Sequence, residues 1–293
     1  MKLIDLLGAQ SLATEPKYQK TSSQQVDGYL VERYQLALNG IESVPAICVK
    51  PLTEGPHPVV LFQHSHGGDF GVGKTELLES SAYLASPSFA KTLTDMGYAV
   101  WAIDAWGFEE RGGIAESELV KEFLLTGRTL WGMRLFDVIA LIDYLETRED
   151  MDMTNLATIG MSMGGLLSWW LAAIDPRVQV CIDIAAQVDL ETLLAHRRLD
   201  HHGFYYYVPN LLTYFSTAQI QAMIAPRARM SLVGKQDTMC INEGVEKLNN
   251  YLQTVYIEKG ARQAFVSKSL TGGHMETSEM RYEWCQFLKE HTQ

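Results

Sequence analysis

The sequence predicts an α/β fold with a mainly parallel central sheet flanked by helices. Three observations carry this. From residue 58 onward, short apolar runs alternate with helix-length segments. A Gly-x-Ser-x-Gly turn, inside IGMSMGG at 159 to 165, joins one such run to a helical pattern. An aspartate, Asp237, and a histidine, His274, each follow a later run. Strands alternating with helices build a parallel sheet covered on both faces, which binds ligands outside the carboxyl ends of its strands.

The opening two dozen residues read as a helix followed by a loop through the polar run KTSSQQ, so 1–25 form an N-terminal helical extension. Residues 29 to 37 and 44 to 50 alternate apolar and polar positions around a turn at Asn39-Gly40, the pattern of an antiparallel strand pair. Strands follow at PVVLF (58 to 62), YAVWAI (98 to 103), LATIG (156 to 160), VQVCIDIA (178 to 185), ARMSLVG (228 to 234) and AFVSKSL (264 to 270). Helices are expected over SFAKTLTDM and from Leu130 to Glu146. The stretch 188–226 breaks the rhythm with HRRLDHHGFYYYVPNLLTYF and reads as a lid-like insertion over the sheet edge. No linker divides the chain, so residues 1–293 are expected to form one domain.

A chain of 293 residues in one domain buries about 75% of its unfolded surface, enough for a dry pocket. The net charge of −11 lacks the basic footprint of a nucleic-acid binder. Cys48, Cys181, Cys240 and Cys285 are scattered and read as small buried thiols. MKLIDLLGAQ is a poor secretory signal, and no apolar run reaches membrane-spanning length. A cytoplasmic enzyme with no membrane or nucleic-acid partner is the expectation.

Two glycine motifs compete for the chemistry. GDFGVGKT at 68 to 75 fits the phosphate-loop pattern, and Asp104, ending AVWAID, could be its magnesium ligand. A phosphate loop, however, follows its strand directly and opens a helix whose N–H groups cradle the phosphates. Here QHSHG separates the strand from Gly68, although the residues after Lys74 could be helical. Ser162 passes the corresponding test, because LATIG is strand-like and MGGLLSWWLAAI helix-like. Such an elbow strains the serine and exposes its hydroxyl, with Gly160, Gly164 and Gly165 allowing strand and helix to close together.

A serine needs a base, and the base an orienter. Asp237 in KQDTMC and His274 in TGGHMET follow in the order serine, acid, histidine, all at the carboxyl edge. Asp189 is the reserve candidate for the acid.

These residues resemble the α/β-hydrolase superfamily, and more narrowly its dienelactone-hydrolase-related, acetyl-xylan-esterase-like branch. The likeness spans residues 25 to 290 and includes HSHGG, GKTE, DAWGFEER, YYYVPNLL and IAPRA. It implies an α/β-hydrolase fold with a short insertion over the active site, and makes GDFGVGKT part of a long loop. Dienelactone hydrolase itself has a nucleophilic cysteine where this chain has Ser162, so lactone opening is not implied. Related acetyl xylan esterases show glutamine where this chain has Met163, which leaves the sugar-acetate preference open.

The expected chemistry is acyl transfer to water on Ser162, with His274 as base and Asp237 as its orienter. Met163 follows the nucleophile and supplies one oxyanion N–H; His66, in the loop after PVVLF, supplies the other. No cofactor is required. His64 and His66 form an H-x-H pair, and His201-His202 adds two imidazoles, but no carboxylate accompanies them at metal-site spacing, and His64 is expected to bond backbone. Trp106, Tyr205, Tyr206 and Tyr207 are candidate substrate contacts, with packing of the insertion as the alternative for the tyrosines. Glu109, Glu110 and Arg111 read as an ion-pair cluster, and Trp169 and Trp170 as core. The functional expectation is a serine hydrolase of small or medium carboxylic esters. Its alternatives are a prolyl-oligopeptidase-type peptidase or amidase, and a non-catalytic hydrolase-fold binding protein. The sequence leaves the oligomeric state open.

Overall fold

In the computed structural model, which describes residues 1–10 and 17–292, nine strands join one sheet. They are β1 (Tyr18–Val26), β2 (Tyr29–Leu36), β3 (Val44–Pro51), β4 (His57–Gln63), β5 (Ala99–Ile103), β6 (Met151–Met161), β7 (Val180–Ile184), β8 (Ala228–Gly234) and β9 (Phe265–Leu270). Their spatial order is β1-β2-β3-β5-β4-β6-β7-β8-β9. Pairing is antiparallel from β1 through β3 to β5, and parallel from β5 to β9. This is the α/β-hydrolase arrangement expected from the sequence.

Alternation along the strands explains the layers. Val59 and Leu61 of β4, with Ala99, Trp101 and Ile103 of β5, face one apolar cluster, while Val60, Phe62, Val100 and Ala102 face another. The first cluster is closed by α3 (Glu116–Leu125), α4 (Leu130–Leu145) and α5 (Met163–Ile174), the second by α2 (Phe89–Asp95) and α10 (Ser278–Thr292). Strands buried on both faces read as near-continuous apolar runs, which is why they stand out in the sequence. Helix α4 begins where Thr129 caps it by accepting the Gly132 N–H at 3.0 Å. Helix α9 (Asn242–Glu258) covers the β8–β9 end, and no described helix is long and apolar enough to cross a membrane.

Two expectations are corrected. Among its described residues the N-terminal extension holds one four-residue helix, Leu3–Leu6, and the polar run KTSSQQ lies in strand β1 rather than in a loop. Its side chains lie exposed on both faces of a sheet edge, so no apolar alternation marks it. Part of the extension falls outside the described residues. After Lys74 a single 3-10 turn, Lys74–Leu77, replaces the possible helix. The insertion 188–226 holds three short helices, Leu190–Ala195, Leu211–Tyr214 and Thr217–Ala222, and two 3-10 turns.

Candidate active site

Strand β6 ends at Met161 and helix α5 begins at Met163, leaving Ser162 at the junction with φ 57° and ψ −120°. A non-glycine residue there stores roughly 1–3 kcal/mol of strain, held in place by surrounding packing. The glycines explain how. A Cβ on Gly164 would overlap the Gln63 carbonyl oxygen of β4, and one on Gly165 would lie 2.6 Å from the Ala186 Cβ. A Cβ on Gly160 would lie 2.6 Å from the same Gln63 oxygen. The helix therefore starts directly against the sheet, as the spacing of glycines predicts.

The β8–α9 and β9–α10 loops bring the expected partners to the serine. His274 Nε2 lies 2.8 Å from Ser162 Oγ, and His274 Nδ1 lies 2.8 Å from Asp237 Oδ2. Asp237 Oδ1 also accepts the Met239 N–H at 2.8 Å and that of Cys240 at 3.4 Å. Burial on its own raises the Asp237 carboxyl. The His274 hydrogen bond and charge, with these N–H groups, outweigh it and hold the group below its ordinary value. Asp189 is elsewhere: it caps Leu190–Ala195 through Thr192 and pairs with Lys247 at 2.7 Å.

A cavity of about 340 Å³ opens beside Ser162 and His274. Tyr205 lines it, together with Ser65, His66, Tyr83, His202 and Met239. The other three candidate contacts are corrected. Trp106 is turned inward, edge-on to Phe123 at 5.1 Å with the Arg111 guanidinium 4.3 Å from its ring. Tyr206 is fully buried, edge-on to Trp131 at 5.2 Å. Tyr207 donates to the Leu199 carbonyl and lines a separate cavity within the insertion. The rings of Trp106 and Tyr206 are thus buried in aromatic packing rather than presented to the pocket. Trp169 and Trp170 are core.

Among the described residues, no acceptor takes the backbone N–H of Met163 or of His66. The Ser65 N–H is instead committed to Glu76 at 2.7 Å, and Glu76 also accepts from the Ser65 and Tyr83 hydroxyls. Burial raises the Glu76 carboxyl above its ordinary value against these hydrogen bonds. This buried carboxylate beneath the pocket was missed in the sequence, where it sits in a charged, loop-like stretch.

His64 and His66 are engaged at both ring nitrogens. His64 Nε2 accepts the Ala105 N–H at 3.1 Å, so its Nδ1–H donates to the Ser65 carbonyl at 2.8 Å. His66 Nδ1 accepts the Gly68 N–H at 3.2 Å, and its Nε2–H donates to Glu116 at 3.2 Å. His201 Nδ1 meets the Thr238 carbonyl and His202 Nε2 the Met239 carbonyl. Among the described residues, three carboxylates lie close enough to share a cation, Asp104, Glu109 and Glu110, and the buried Lys74 ammonium pairs with them at 2.8, 2.8 and 2.6 Å. The lysine of the apparent phosphate loop is thus an internal counter-ion. The expected grouping of Arg111 with Glu109 and Glu110 is corrected: Arg111 pairs with Glu42 and Asp137 and donates to the Asp104 backbone carbonyl, while Glu109 and Glu110 take Lys74.

Known proteins resemble this chain in sequence or in fold. The chain is 50% identical over 262 residues, 89% of this chain and 88% of the other, to the protein named "Putative hydrolase YtaP" of Bacillus subtilis (strain 168). Its fold is similar to that of acetyl xylan esterase 1 from Thermoanaerobacterium sp. JW/SL YS485, with TM-score 0.64 and 18% identity over 100% of this chain and 99% of that one. It is also similar to methylesterase BT1017, with TM-score 0.70 and 20% identity over 98% of this chain; the chain spans only 60% of that protein's length. A model of the prolyl oligopeptidase family matches residues 85–288, more than half of the chain and the part that carries Ser162, Asp237 and His274. The chain, a hydrolase by this kinship, belongs to the prolyl oligopeptidase family and has the α/β-hydrolase fold.

Proposed function

We propose that the protein is a serine hydrolase that cleaves a small or medium carboxylic ester through an acyl-enzyme on Ser162. The observation that carries this reading is the hydrogen-bonded series Ser162–His274–Asp237, with the serine on a strained elbow facing a cavity.

In this mechanism Ser162 Oγ attacks the ester carbonyl carbon while His274 Nε2 takes its proton. Asp237 keeps Nδ1 protonated and balances the imidazolium. The carbonyl oxygen, now an anion, is held by the Met163 and His66 N–H groups, each worth about 2.7–4 kcal/mol of barrier. Collapse expels the alcohol, which takes the proton from His274. Water then attacks the acyl-enzyme with His274 again as base, releasing the carboxylic acid and restoring Ser162. A cavity of about 340 Å³ suits a short acyl group. The names methylesterase and acetyl xylan esterase among the structural neighbours support a small ester group.

The family match favours a second reading, cleavage of a proline-containing peptide amide by the same residues. Steady-state rates on p-nitrophenyl acetate and on glycyl-prolyl p-nitroanilide separate the two. The ester reading expects hydrolysis of the acetate, lost in Ser162→Ala, with little turnover of the anilide. A preference for the anilide would replace it with the amidase reading.

A further inference from the structure

Both residues assigned to the oxyanion hole lean on one buried ion pair. Arg134 of α4 is enclosed, its side chain fully buried, and its Nη2 donates to Glu116 at 2.9 Å and to the Trp106 carbonyl at 2.8 Å. Its Nη1 lies 3.3 Å from the Sδ of Met163. Glu116 in turn accepts from His66 Nε2 at 3.2 Å. The rings of Phe108 and Tyr205 flank the guanidinium at 5.2 and 4.9 Å, and Tyr205 also stacks on His66 at 5.2 Å.

We propose that the Arg134–Glu116 pair is a brace that fixes the Met163 and His66 backbone N–H groups at the spacing a tetrahedral oxyanion needs. The proposal rests on the ester-hydrolase reading. Arg134 touches one donor residue, Glu116 touches the other, and the 2.9 Å bond between them sets their separation. Met163 starts a helix and His66 lies in a loop three residues beyond the end of β4, so the β4–β6 pairing brings the two segments together while the ion pair joins the donor residues themselves. A buried cation is a poor stabilising device, because desolvation offsets its Coulomb gain. Here one of its donors, Nε, has no partner among the described residues. Geometry, rather than stability, is what the pair supplies. Both are positioning residues, since neither contacts the reacting atoms.

The test is the double variant Arg134→Met with Glu116→Gln, which leaves no uncompensated buried charge. It is read with p-nitrophenyl acetate and with a trifluoromethyl ketone that forms a tetrahedral adduct on an activated serine. The brace predicts a folded protein whose kcat falls roughly 10- to 100-fold with KM within about twofold. It also predicts that ketone affinity falls by the same factor as kcat/KM, with partial recovery when Arg134→Lys is made alone. Ketone affinity that stays at the wild-type value, or an effect confined to KM, would overturn it. A wild-type protein that neither hydrolyses the ester nor binds the ketone defeats the ester-hydrolase reading instead. The brace is then read from the amide resonances of Met163 and His66. It requires them to shift together in the double variant, and unmoved resonances would overturn it.

Discussion

Gly164, two residues past Ser162, lies so close to Gln63 of the neighbouring strand that a Cβ would overlap the Gln63 carbonyl oxygen. That contact is between backbones, so no rotamer change relieves it. Gly164→Ala is expected to destabilise the protein by about 1–3 kcal/mol through overpacking and to lower activity by displacing the elbow. Thermal unfolding and ester kinetics check both. Wild-type values for the pair would show that strand and helix are not closely apposed.

The elbow also predicts an opposing effect at the serine itself. Ser162 at φ 57° and ψ −120° is strained as a non-glycine residue. Ser162→Gly is therefore expected to abolish activity while raising stability by about 1 kcal/mol, after the entropy cost of glycine is subtracted from the relieved strain. Chemical denaturation measures it. A loss of stability would mean that the conformation is not strained.

Two histidines near the site set an acid limit. Burial pushes His64 down from its ordinary 6.5 to about 4, and His202 likewise to about 4. As pH falls below 6.5, the unfolded chain takes up protons that the folded chain refuses. Their stabilising contribution is complete above pH 6.5 and is lost as pH falls toward 4. The loss amounts to about 3 kcal/mol for His64. Urea midpoints at pH 7.5 and 5 should diverge, and less so in His64→Gln. An unchanged pH dependence in that variant would show that His64 does not remain neutral.

Lys74 is expected to matter for folding and not for nucleotides. Its ammonium offsets Asp104 and Glu109, both within 2.8 Å. Lys74→Met leaves those carboxylates uncompensated and is expected to cost about 3–5 kcal/mol. Magnesium-ATP should not move the wild-type melting temperature. A rise that depends on Lys74 would restore the phosphate-loop reading.

The parts legible in the sequence are those whose signal is local. Strands buried on both faces declare themselves as apolar runs, and the elbow glycines, Asp237 and His274 each sit just beyond one. Strand β1 was illegible because an exposed edge needs no apolar alternation. Trp106 was misplaced because an aromatic in a loop at the carboxyl edge gives no sign of which way it turns, and here Phe123 and Arg111 hold it inward. The Arg134–Glu116 pair joins residues of two different helices, which periodicity does not connect. One sign was present: Arg134 and Asp137 interrupt an otherwise apolar helix, LWGMRLFDVIALI, and a charge on a buried helix needs a partner. Glu76 gave less warning, since its partners Ser65 and Tyr83 meet it only through the folding of the long loop.

The proposed ester chemistry requires His274 and Asp237 to activate Ser162 as a nucleophile. Labelling with a fluorophosphonate probe, with the modified residue located by mass spectrometry, tests it most directly. A single label on Ser162 is expected, formed rapidly in the wild type, strongly slowed in His274→Ala and absent in Ser162→Ala. Folded wild-type protein that stays unlabelled, or a Ser162 label that forms equally fast without His274, would contradict it.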